Sequence, residues 1–292
     1  MIAVNLCMGL GNKMFQYAFG RGLINKGYDI VFDVTNYTPY YPHESIQLDD
    51  VFPNIELPKM QEGNFPLLFP KKQRFPGYYR IKRFLKGCFL KEHYYFLSTH
   101  AYVPEIEKKI KNNIIFHGDW QTEKYFLHCK DDIRKQFTFP QFDEKDNIII
   151  AKKMASENSV AIHVRKGEDY TNPLFVNICT LDYYKKAIDI IKHKVKDPIF
   201  YIFTDSPEWV KSNFPELEYT LINWNEGDKA FRDMQLMANA KHNIIANSTF
   251  SWWGAWLNPN PDKVVISPRI FFNPVRKYNR KTDIIPDSWI KV

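Results

Sequence analysis

The second half of the chain alternates short apolar segments with segments of helical spacing, and this alternation limits the fold more than any other feature. Strands are predicted at 160–164, 199–204, 218–222, 243–246 and 264–267. Helices are predicted at 146–157, 181–194 and 229–240, and from Ser206-Pro207, where a capping serine precedes proline. Strands that alternate with helices form a parallel sheet with helices on both faces, so this half is predicted to be α/β.

The beginning of the chain contains a smaller unit of the same kind. Ile2–Leu6 is predicted to be a strand, Asn12–Lys26 a helix and Asp29–Asp33 a second strand. The helix has apolar residues at i, i+3, i+4, i+7 and i+8, which is the spacing of one buried face. Gly27 is placed to end it.

The region between these two patterns is less regular. Residues 36–100 are rich in proline and aromatic residues without a clear period, which predicts loops and short helices. Helices are predicted at 104–111 and 122–137, and a break containing proline and phenylalanine follows them. Two domains are therefore expected, 1–145 and 146–292, with the last segment free to pack back on the first domain.

The net charge of +7 comes from a single segment. Lys71–Lys91 contains eight basic residues and no acidic one, and the other 32 basic residues nearly balance the 33 acidic residues of the chain. Aromatic residues lie between the basic ones, a pattern that suits an anionic membrane surface or a polyanionic acceptor. A solvated basic surface explains the segment equally well. Nucleic acid is the least favoured partner, because no known nucleic-acid-binding module is recognisable.

The sequence also indicates where the protein acts. No apolar run reaches the length of a membrane span, and the N-terminal residues are typical of a strand rather than a signal peptide. The four cysteines have neither CxxC nor zinc-site spacing, which is typical of free thiols in a reducing compartment. We therefore expect a cytoplasmic protein, with peripheral contact at the inner membrane face as an option.

The loops that follow predicted strands are the candidate sites, because ligands of parallel sheets bind beyond the carboxyl ends of strands. The first such loop contains Gly9, Gly11 and Asn12. Its two glycines permit close backbone approach, and the helix N-terminus that follows attracts anions. The loop lacks the third glycine of a dinucleotide-binding motif, and a plain tight turn explains it as well.

The loop after strand 160–164 has the strongest chemical character. His163 and Arg165 are two residues apart, so they face the same side of the chain. Arg165 and Lys166 together can neutralise a diphosphate, and the arginine fork suits phosphate oxygens. Glu168 and Asp169 can orient these bases or transfer a proton. The alternative is a salt-bridge cluster at the end of a strand.

Two further loops contain polar residues. Asp205 can accept hydrogen bonds from ribose or sugar hydroxyls, while Ser206 suffices as the helix cap. The other loop consists of Asn247, Ser248, Thr249, Phe250 and Ser251. Hydroxyl and N–H groups at such a helix N-terminus form an anion cradle. Asp233, on the preceding helix, taken alone is typical of a solvated acid.

Four segments carry a resemblance when they are taken together. They are Gly9–Phe19, Gly118–Gln121 with Tyr125-Phe126, His163–Tyr170 and Lys241–Trp253. In this order they resemble the α-1,2-fucosyltransferases of glycosyltransferase family 11, over nearly the whole chain. The resemblance implies an α/β fold of GT-B type, with two Rossmann-like domains facing across a cleft. It further implies GDP-fucose as donor, a galactoside-containing glycan as acceptor, inversion at the anomeric carbon, and neither metal nor cofactor.

The resemblance also implies roles for individual residues. Arg165 should grip the β-phosphate, His163 should lie near the nucleotide, and Asp233 should pair with the guanine edge. The segment 247–251 should support the phosphates, and the loop 9–12 should approach the pyrophosphate from the opposite domain.

The chain departs from the family pattern at one motif. The family has two arginines followed by Gly-Asp-Tyr, whereas this chain has Lys166 as the second basic residue and an additional Glu168 before Asp169. Lysine keeps the positive charge but loses the bidentate geometry of arginine. The insertion moves the acidic side chain by one position, which affects the role of Asp169.

The expected mechanism stabilises the departing diphosphate with fixed cations and helix N-termini, because no DxD motif follows a predicted strand. The acceptor hydroxyl attacks the opposite face, and Asp169, Glu168 or His163 takes its proton. The catalytic candidates are accordingly Arg165, His163 and Asp169. Two alternatives remain at this point: a transferase of another GDP-sugar or linkage, and a non-catalytic binder of glycan or polyanion.

Overall fold

In a computed structural model the chain divides into two units, Met1–Thr138 and Phe139–Val292. The structure describes residues 1–34, 46–60, 93–97, 100–167, 171–274 and 282–292. The basic segment 71–91 and the two acids Glu168 and Asp169 lie outside the described residues. The boundary predicted between residues 145 and 146 falls inside the second unit, at the start of its first helix.

The first unit is built on a four-stranded parallel sheet in the order β2-β1-β4-β3. Its strands are β1 (Ile2–Asn5), β2 (Ile30–Asp33), β3 (His93–Phe96) and β4 (Ile114–His117). Its helices are α1 (Leu10–Ile24), α2 (Leu48–Val51) and α3 (Lys130–Gln136), with 3-10 turns at Ile106–Lys109, Glu123–Tyr125 and Leu127–Cys129.

Helix α1 is the centre of the first unit, since twelve of its fifteen residues are buried. The Phe19 ring stacks on the Trp120 ring at a centroid distance of 3.8 Å. A Cβ atom at Gly22 would lie 2.5 Å from the carbonyl oxygen of Tyr125, so glycine permits the helix to approach that backbone. A helix buried on nearly all sides needs apolar residues beyond one stripe, as this one has.

The second unit is built on a six-stranded parallel sheet in the order β10-β9-β8-β5-β6-β7. Its strands are β5 (Ser159–Val164), β6 (Ile199–Thr204), β7 (Tyr219–Ile222), β8 (His242–Ile244), β9 (Val265–Ser267) and β10 (Ile290–Lys291). Its helices are α4 (Lys145–Ser156), α5 (Leu181–Lys194), α6 (Pro207–Asn213), α7 (Phe231–Asn239) and α8 (Thr249–Leu257).

Helices cover both faces of this second sheet. Val160 and Ile162 of β5 belong to a core cluster with α5 and α6, whereas Ala161 belongs to the cluster with α4 and α7. Successive residues of a strand point to opposite faces, so β5 is buried on both sides. The predicted α/β class is confirmed, because each unit is a parallel sheet with helices, the construction of a Rossmann-like domain in GT-B proteins.

The elements with the clearest pattern have the predicted bounds. Helix 181–194 and strand 199–204 match α5 and β6 at both ends. The helix predicted at 122–137 is wrong in its first half, where two 3-10 turns precede α3, since the backbone at Phe126 leaves the helical region. None of the helices in the described ranges combines the length and apolarity required to cross a lipid bilayer.

Candidate functional site

The loops that follow β5 and β6 leave the second sheet at the same edge. The register of the two parallel strands pairs Val164 with Thr204, the last residue of each. Arg165 and Asp205 come directly afterwards, and Nε of Arg165 lies 3.6 Å from Oδ2 of Asp205. The sheet therefore brings these two predicted site residues together at its carboxyl edge.

Asp205 organises the loop after β5. Its Oδ1 accepts a hydrogen bond from the backbone N–H of Lys166 at 2.9 Å, and its Oδ2 accepts one from Gly167 at 3.2 Å. The Ser206 hydroxyl donates to the same carboxylate at 3.0 Å. Charge-assisted hydrogen bonds of this kind are about twice as strong as neutral ones. The ribose or sugar contact expected of Asp205 stays a prediction, and in this conformation the loop uses both carboxylate oxygens.

Ser206 occupies the predicted N-cap position of α6, but its predicted capping hydrogen bond is wrong. The hydroxyl makes no cap hydrogen bond to the helix, and Pro207 begins the first turn. An N-cap side chain accepts from a first-turn backbone N–H, whereas this hydroxyl is oriented by its donation to the Asp205 carboxylate. Backbone N–H of Ser206 donates to Oγ1 of Thr204 at 2.9 Å, which closes this turn.

The Lys166 side chain is bound at the base of the loop. Its Nζ donates to the carbonyl oxygen of Cys179 at 2.6 Å and lies 4.9 Å from the Trp209 ring centroid. Burial lowers the pKa of this lysine. The phosphate contact expected of Lys166 stays a prediction, and in this conformation its ammonium stabilises the loop against α6 and the segment before α5.

His163 is the buried member of the cluster, with 7% of its side chain exposed. Burial, together with the nearby positive charge of Arg165, lowers the pKa of His163 to about 3. The imidazole is therefore neutral at physiological pH. Its ring lies 6.0 Å from the Phe250 ring, and its Nδ1 is buried without a hydrogen-bond partner in the described part of the chain. A buried nitrogen of this kind is suited to a ligand's polar group.

The segment 247–251 forms the start of α8, which follows β8. Ser248 is the N-cap, and its Oγ accepts a hydrogen bond from the backbone N–H of Phe250 at 3.4 Å. The first-turn N–H groups of a helix have no partners within the helix and attract anions. Asn247 is buried and donates to the carbonyl oxygens of Phe175 and Phe271, so it fixes the loop below the helix start.

Asp233 lies in the first turn of α7. Its Oδ1 accepts a hydrogen bond from Nδ2 of Asn225 at 2.7 Å. Burial raises the pKa of Asp233 to about 7 despite that hydrogen bond. The interpretation of Asp233 as a solvated acid is wrong, because burial rather than solvent dominates the environment of its carboxyl group. Asn225 was missed by the sequence analysis, although the rule that selects post-strand loops applies to the loop after β7.

The glycine loop of the first unit has its own hydrogen bonds. Met8 adopts a left-handed conformation with φ of 71°, and the backbone N–H of Cys7 donates to Oε1 of Gln16 at 2.8 Å. Gly9 is the N-cap of α1. Nε2 of Gln121 donates to Oδ1 of Asn12 at 2.8 Å, which ties the helix start to the loop after β4. The donor contacts expected of Gly9, Gly11 and Asn12 stay predictions.

The side chains that could bind a metal ion are scattered in the part of the chain that the structure describes. Within those residues no group of three or more histidine, cysteine or carboxylate side chains has the arrangement of a metal site. The expected independence from metal stays a prediction, as does the catalytic role of Asp169, which the described ranges do not include.

Comparison with known proteins gives consistent matches. The family described as Glycosyl transferase family 11 matches residues 79–292. An α-1,2-colitosyltransferase of Escherichia coli is 31% identical over 100% of this chain and 99% of that protein. The O-antigen biosynthesis glycosyltransferase WbnK of E. coli is 28% identical over 97% and 98%. The galactoside α-(1,2)-fucosyltransferase 1 of Homo sapiens is 22% identical over 55% and 53%.

Two solved structures align with most of this chain at low sequence identity. NodZ α-1,6-fucosyltransferase soaked with GDP-fucose aligns with a TM-score of 0.48 and 15% identity, over 88% of this chain and 92% of that one. POFUT1 in complex with GDP aligns with a TM-score of 0.47 and 14% identity, over 90% and 97%.

Proposed function

Because this chain belongs to glycosyltransferase family 11, we propose that it moves L-fucose from GDP-fucose to the 2-hydroxyl of a terminal β-galactoside, with inversion. The observation that carries this proposal is the placement of Arg165, which lies 3.6 Å from Asp205, near a neutral, buried His163 at the carboxyl edge of the second sheet. A permanent cation beside an uncharged hydrogen-bonding group suits a leaving diphosphate.

Charge balance at the leaving group is the central chemical problem. Breaking the bond between the anomeric carbon and the phosphate oxygen leaves an additional negative charge on GDP. Arg165 is half-buried, and partial burial strengthens its attraction for phosphate oxygens relative to a fully solvated arginine. The N-terminus of α8, which follows the adjacent β8, supplies N–H groups of favourable polarity. We propose that these two features replace a divalent ion.

The proton of the acceptor hydroxyl needs a base on the opposite face of the sugar. His163 is a poor base, because its lowered pKa means that it holds a proton only weakly. Its neutral ring is better suited to a hydrogen bond with the donor. Asp169 and Glu168 are the remaining candidates for the base, and a loose transition state with oxocarbenium character needs little assistance from either.

Colitose is a second candidate for the transferred sugar. The relative with 31% identity over the full chain is named an α-1,2-colitosyltransferase. Colitose is L-fucose without its 3-hydroxyl group, so the same phosphate and guanine contacts serve both donors. A pocket that hydrogen-bonds the 3-hydroxyl would select fucose, because an unpaired buried polar group penalises the analogue that lacks it.

The experiment measures GDP release from GDP-fucose and GDP-colitose with a panel of galactosides, with and without EDTA. We expect that the protein turns over GDP-fucose in the presence of EDTA and forms a 1,2-linkage. The Arg165→Ala variant should lose about 10²–10³-fold in kcat, whereas Arg269→Ala, which removes an exposed arginine of the same unit, should not change it. Absence of transfer with every galactoside, or loss of turnover with chelator, would overturn the proposal.

We also propose that the protein acts in the cytoplasm and that the segment 71–91 binds the anionic inner face of the membrane. The charge of the segment supports this proposal, with eight basic residues and no acidic one. Sedimentation with vesicles of phosphatidylglycerol should carry the protein down at low salt and release it at high salt. Equal sedimentation with neutral phosphatidylcholine vesicles would contradict an electrostatic contact.

A further inference from the structure

Trp224 is an exposed tryptophan at the carboxyl edge of the second sheet, in the loop after β7. Its side chain is 39% exposed, whereas five of the other tryptophans are buried and Trp209 packs partly against the core. Exposure of a large aromatic ring has a cost in water, so an exposed indole in an ordered loop is a candidate contact surface. The neighbouring hydrogen bonds show that its orientation is fixed.

The indole is held by its edge and leaves part of its surface uncovered. Nε1 of Trp224 donates to Oδ1 of Asn147 at 2.9 Å, and Asn147 is completely buried. Asn147 and Asn225 exchange two amide hydrogen bonds of 2.8 and 3.1 Å. A buried and mutually satisfied amide pair is rigid, because breaking it would leave several buried polar groups without partners.

The same amide pair also holds Asp233. Nδ2 of Asn225 donates to Oδ1 of Asp233 at 2.7 Å. The indole and the carboxylate are thus positioned by one hydrogen-bonded network, which joins the start of α4, the loop after β7 and the first turn of α7. A carboxylate offers about four acceptor positions on two oxygens, and the Asn225 amide occupies one of them.

An aromatic surface beside a carboxylate suits one nucleobase better than the others. Guanine has two adjacent donors on one edge, its N1–H and its 2-amino group, which match the two oxygens of a carboxylate. Adenine and the pyrimidines place an acceptor within that edge, so a carboxylate repels them. Stacking on an aromatic ring is available to every base and supplies affinity without selecting among them.

We propose that Trp224 is the stacking surface for the guanine of the donor and that Asn147 and Asn225 are positioning residues for it and for Asp233. The inference rests on the proposed GDP-sugar donor, and it adds an aromatic surface and a positioning pair to the guanine contact expected of Asp233. None of these residues belongs to the loop of Arg165 or to the segment 247–251. Substituting them leaves the expected phosphate contacts in place, so their contribution can be measured from the binding of nucleotides alone.

The first experiment follows the intrinsic tryptophan fluorescence of the intact chain during titration with GDP, ADP and UDP. GDP is expected to quench the emission and the other two nucleotides are not, at equal concentrations. In Trp224→Ala the quenching should disappear, and Kd for GDP, measured by calorimetry, should rise about 5- to 150-fold. Trp224→Phe, which keeps an aromatic face, should stay within about tenfold of the wild type. Ile270→Ala, which removes another exposed apolar side chain of the second unit, should leave Kd unchanged.

The second experiment compares GDP with inosine diphosphate, which lacks the 2-amino group. The wild type should prefer GDP by about tenfold, the effect of one further hydrogen bond to a carboxylate. Asn225→Ala should reduce this preference, because the carboxylate of Asp233 is then no longer held in position. A purely structural role for Asn225 would weaken both nucleotides equally and keep the ratio.

The outcomes distinguish a failure of the proposed donor from a failure of the stacking role of Trp224. If wild-type protein does not prefer GDP over ADP and UDP, the proposed donor is wrong. If it prefers GDP and Trp224→Ala binds GDP within twofold of the wild type, the stacking role is wrong and the proposed function stands. Should Trp224→Ala fail to fold, the decision rests on Trp224→Phe and on the quenching of the wild type, and a wild type that is not quenched by bound GDP overturns the inference.

Discussion

The carboxylate of Asp205 accepts a 2.9 Å hydrogen bond from the backbone N–H of Lys166, which joins the end of β6 to the loop after β5. The same carboxylate lies beside Nε of Arg165 and accepts from the backbone of Gly167. The backbone N–H groups of Lys166 and Gly167 and the guanidinium of Arg165 thus all contact one carboxylate. Asp205 therefore positions Arg165 without itself having to touch the donor.

Replacing Asp205 tests this positioning role. Asp205→Ala should lower kcat for donor turnover about 10- to 100-fold and the free energy of unfolding by about 1–3 kcal/mol, since it leaves partly buried N–H groups unpaired. Asp205→Asn, which retains one accepting oxygen, should have a smaller effect on both quantities. Steady-state kinetics and urea unfolding measure them. Wild-type kinetics in Asp205→Ala would contradict the positioning of Arg165 by this carboxylate.

Methionine substitutions at Lys166 and Arg165 distinguish a side chain that stabilises the loop from one whose charge supports turnover. Lys166→Met keeps the apolar stem but removes the hydrogen bond to Cys179, so the free energy of unfolding should fall by about 1–3 kcal/mol. KM for the donor should change less than about threefold, while Arg165→Met should lose most of its turnover. If Lys166→Met is stable but loses as much activity as Arg165→Met, its ammonium must leave Cys179 and bind the phosphates.

The carboxyl group of Asp233 should produce a pH dependence of stability. The charged groups near it pair with one another, since Arg232 and Lys229 bind Asp143 and Glu144. The charged residues of α4 are exposed, and α8, which packs on α7, has no titratable side chain. Burial is the main cause of the raised pKa of Asp233.

The sign of this effect follows from the raised pKa. In the unfolded chain the carboxyl group loses its proton near pH 4, but in the folded protein only near pH 7. The folded state therefore binds more protons between these values, and stability falls as the pH rises from 4 to 7. Asp233→Asn should remove this loss, gaining on the order of 1–4 kcal/mol relative to the wild type between pH 4 and 8. Parallel curves of wild type and variant would contradict the raised pKa.

His163 should not contribute a titration to the reaction near neutral pH. Its pKa of about 3 leaves the ring neutral across the working range. The profile of kcat/KM for the donor should show an acidic limb near pH 7, because the carboxylate of Asp233 must be ionised to bind guanine. His163→Gln should lower the rate and retain that limb, while Asp233→Asn should remove it. Loss of the limb in His163→Gln would show that the histidine titrates.

Sequence patterns predicted the second sheet well, because its elements carry strong local signals. Helix α5 has a clear apolar face, and the Thr180 side chain caps its start by accepting from the backbone N–H of Tyr183. Strands β3 and β4 were missed, since each has only four residues and neither alternates apolar with polar residues. Strand β10 has two residues and forms only because β9 offers an edge to it.

The sequence predicted where the candidate site lies, but not which residues its side chains bind. The rule for parallel sheets placed Arg165 and Asp205 at one edge, and the register confirms that placement. That Asp205 binds the backbone of Lys166, 39 residues earlier, depends on tertiary contacts that leave no local signal. Trp224 and Asn225 were within reach of the same rule, but their importance depends on Asn147, 77 and 78 residues away.

The all-parallel pairing of the second sheet has a consequence for producing the protein. Parallel neighbours need a crossover, and Ser159 and Lys241, bonded where β5 meets β8, are 82 residues apart. At about 5–20 residues per second, a ribosome needs roughly 4–16 s between these segments. During that interval one edge of β5 has unpaired backbone N–H and C=O groups, so the yield of soluble protein should depend on growth temperature and chaperone supply more than on the stability of the finished fold.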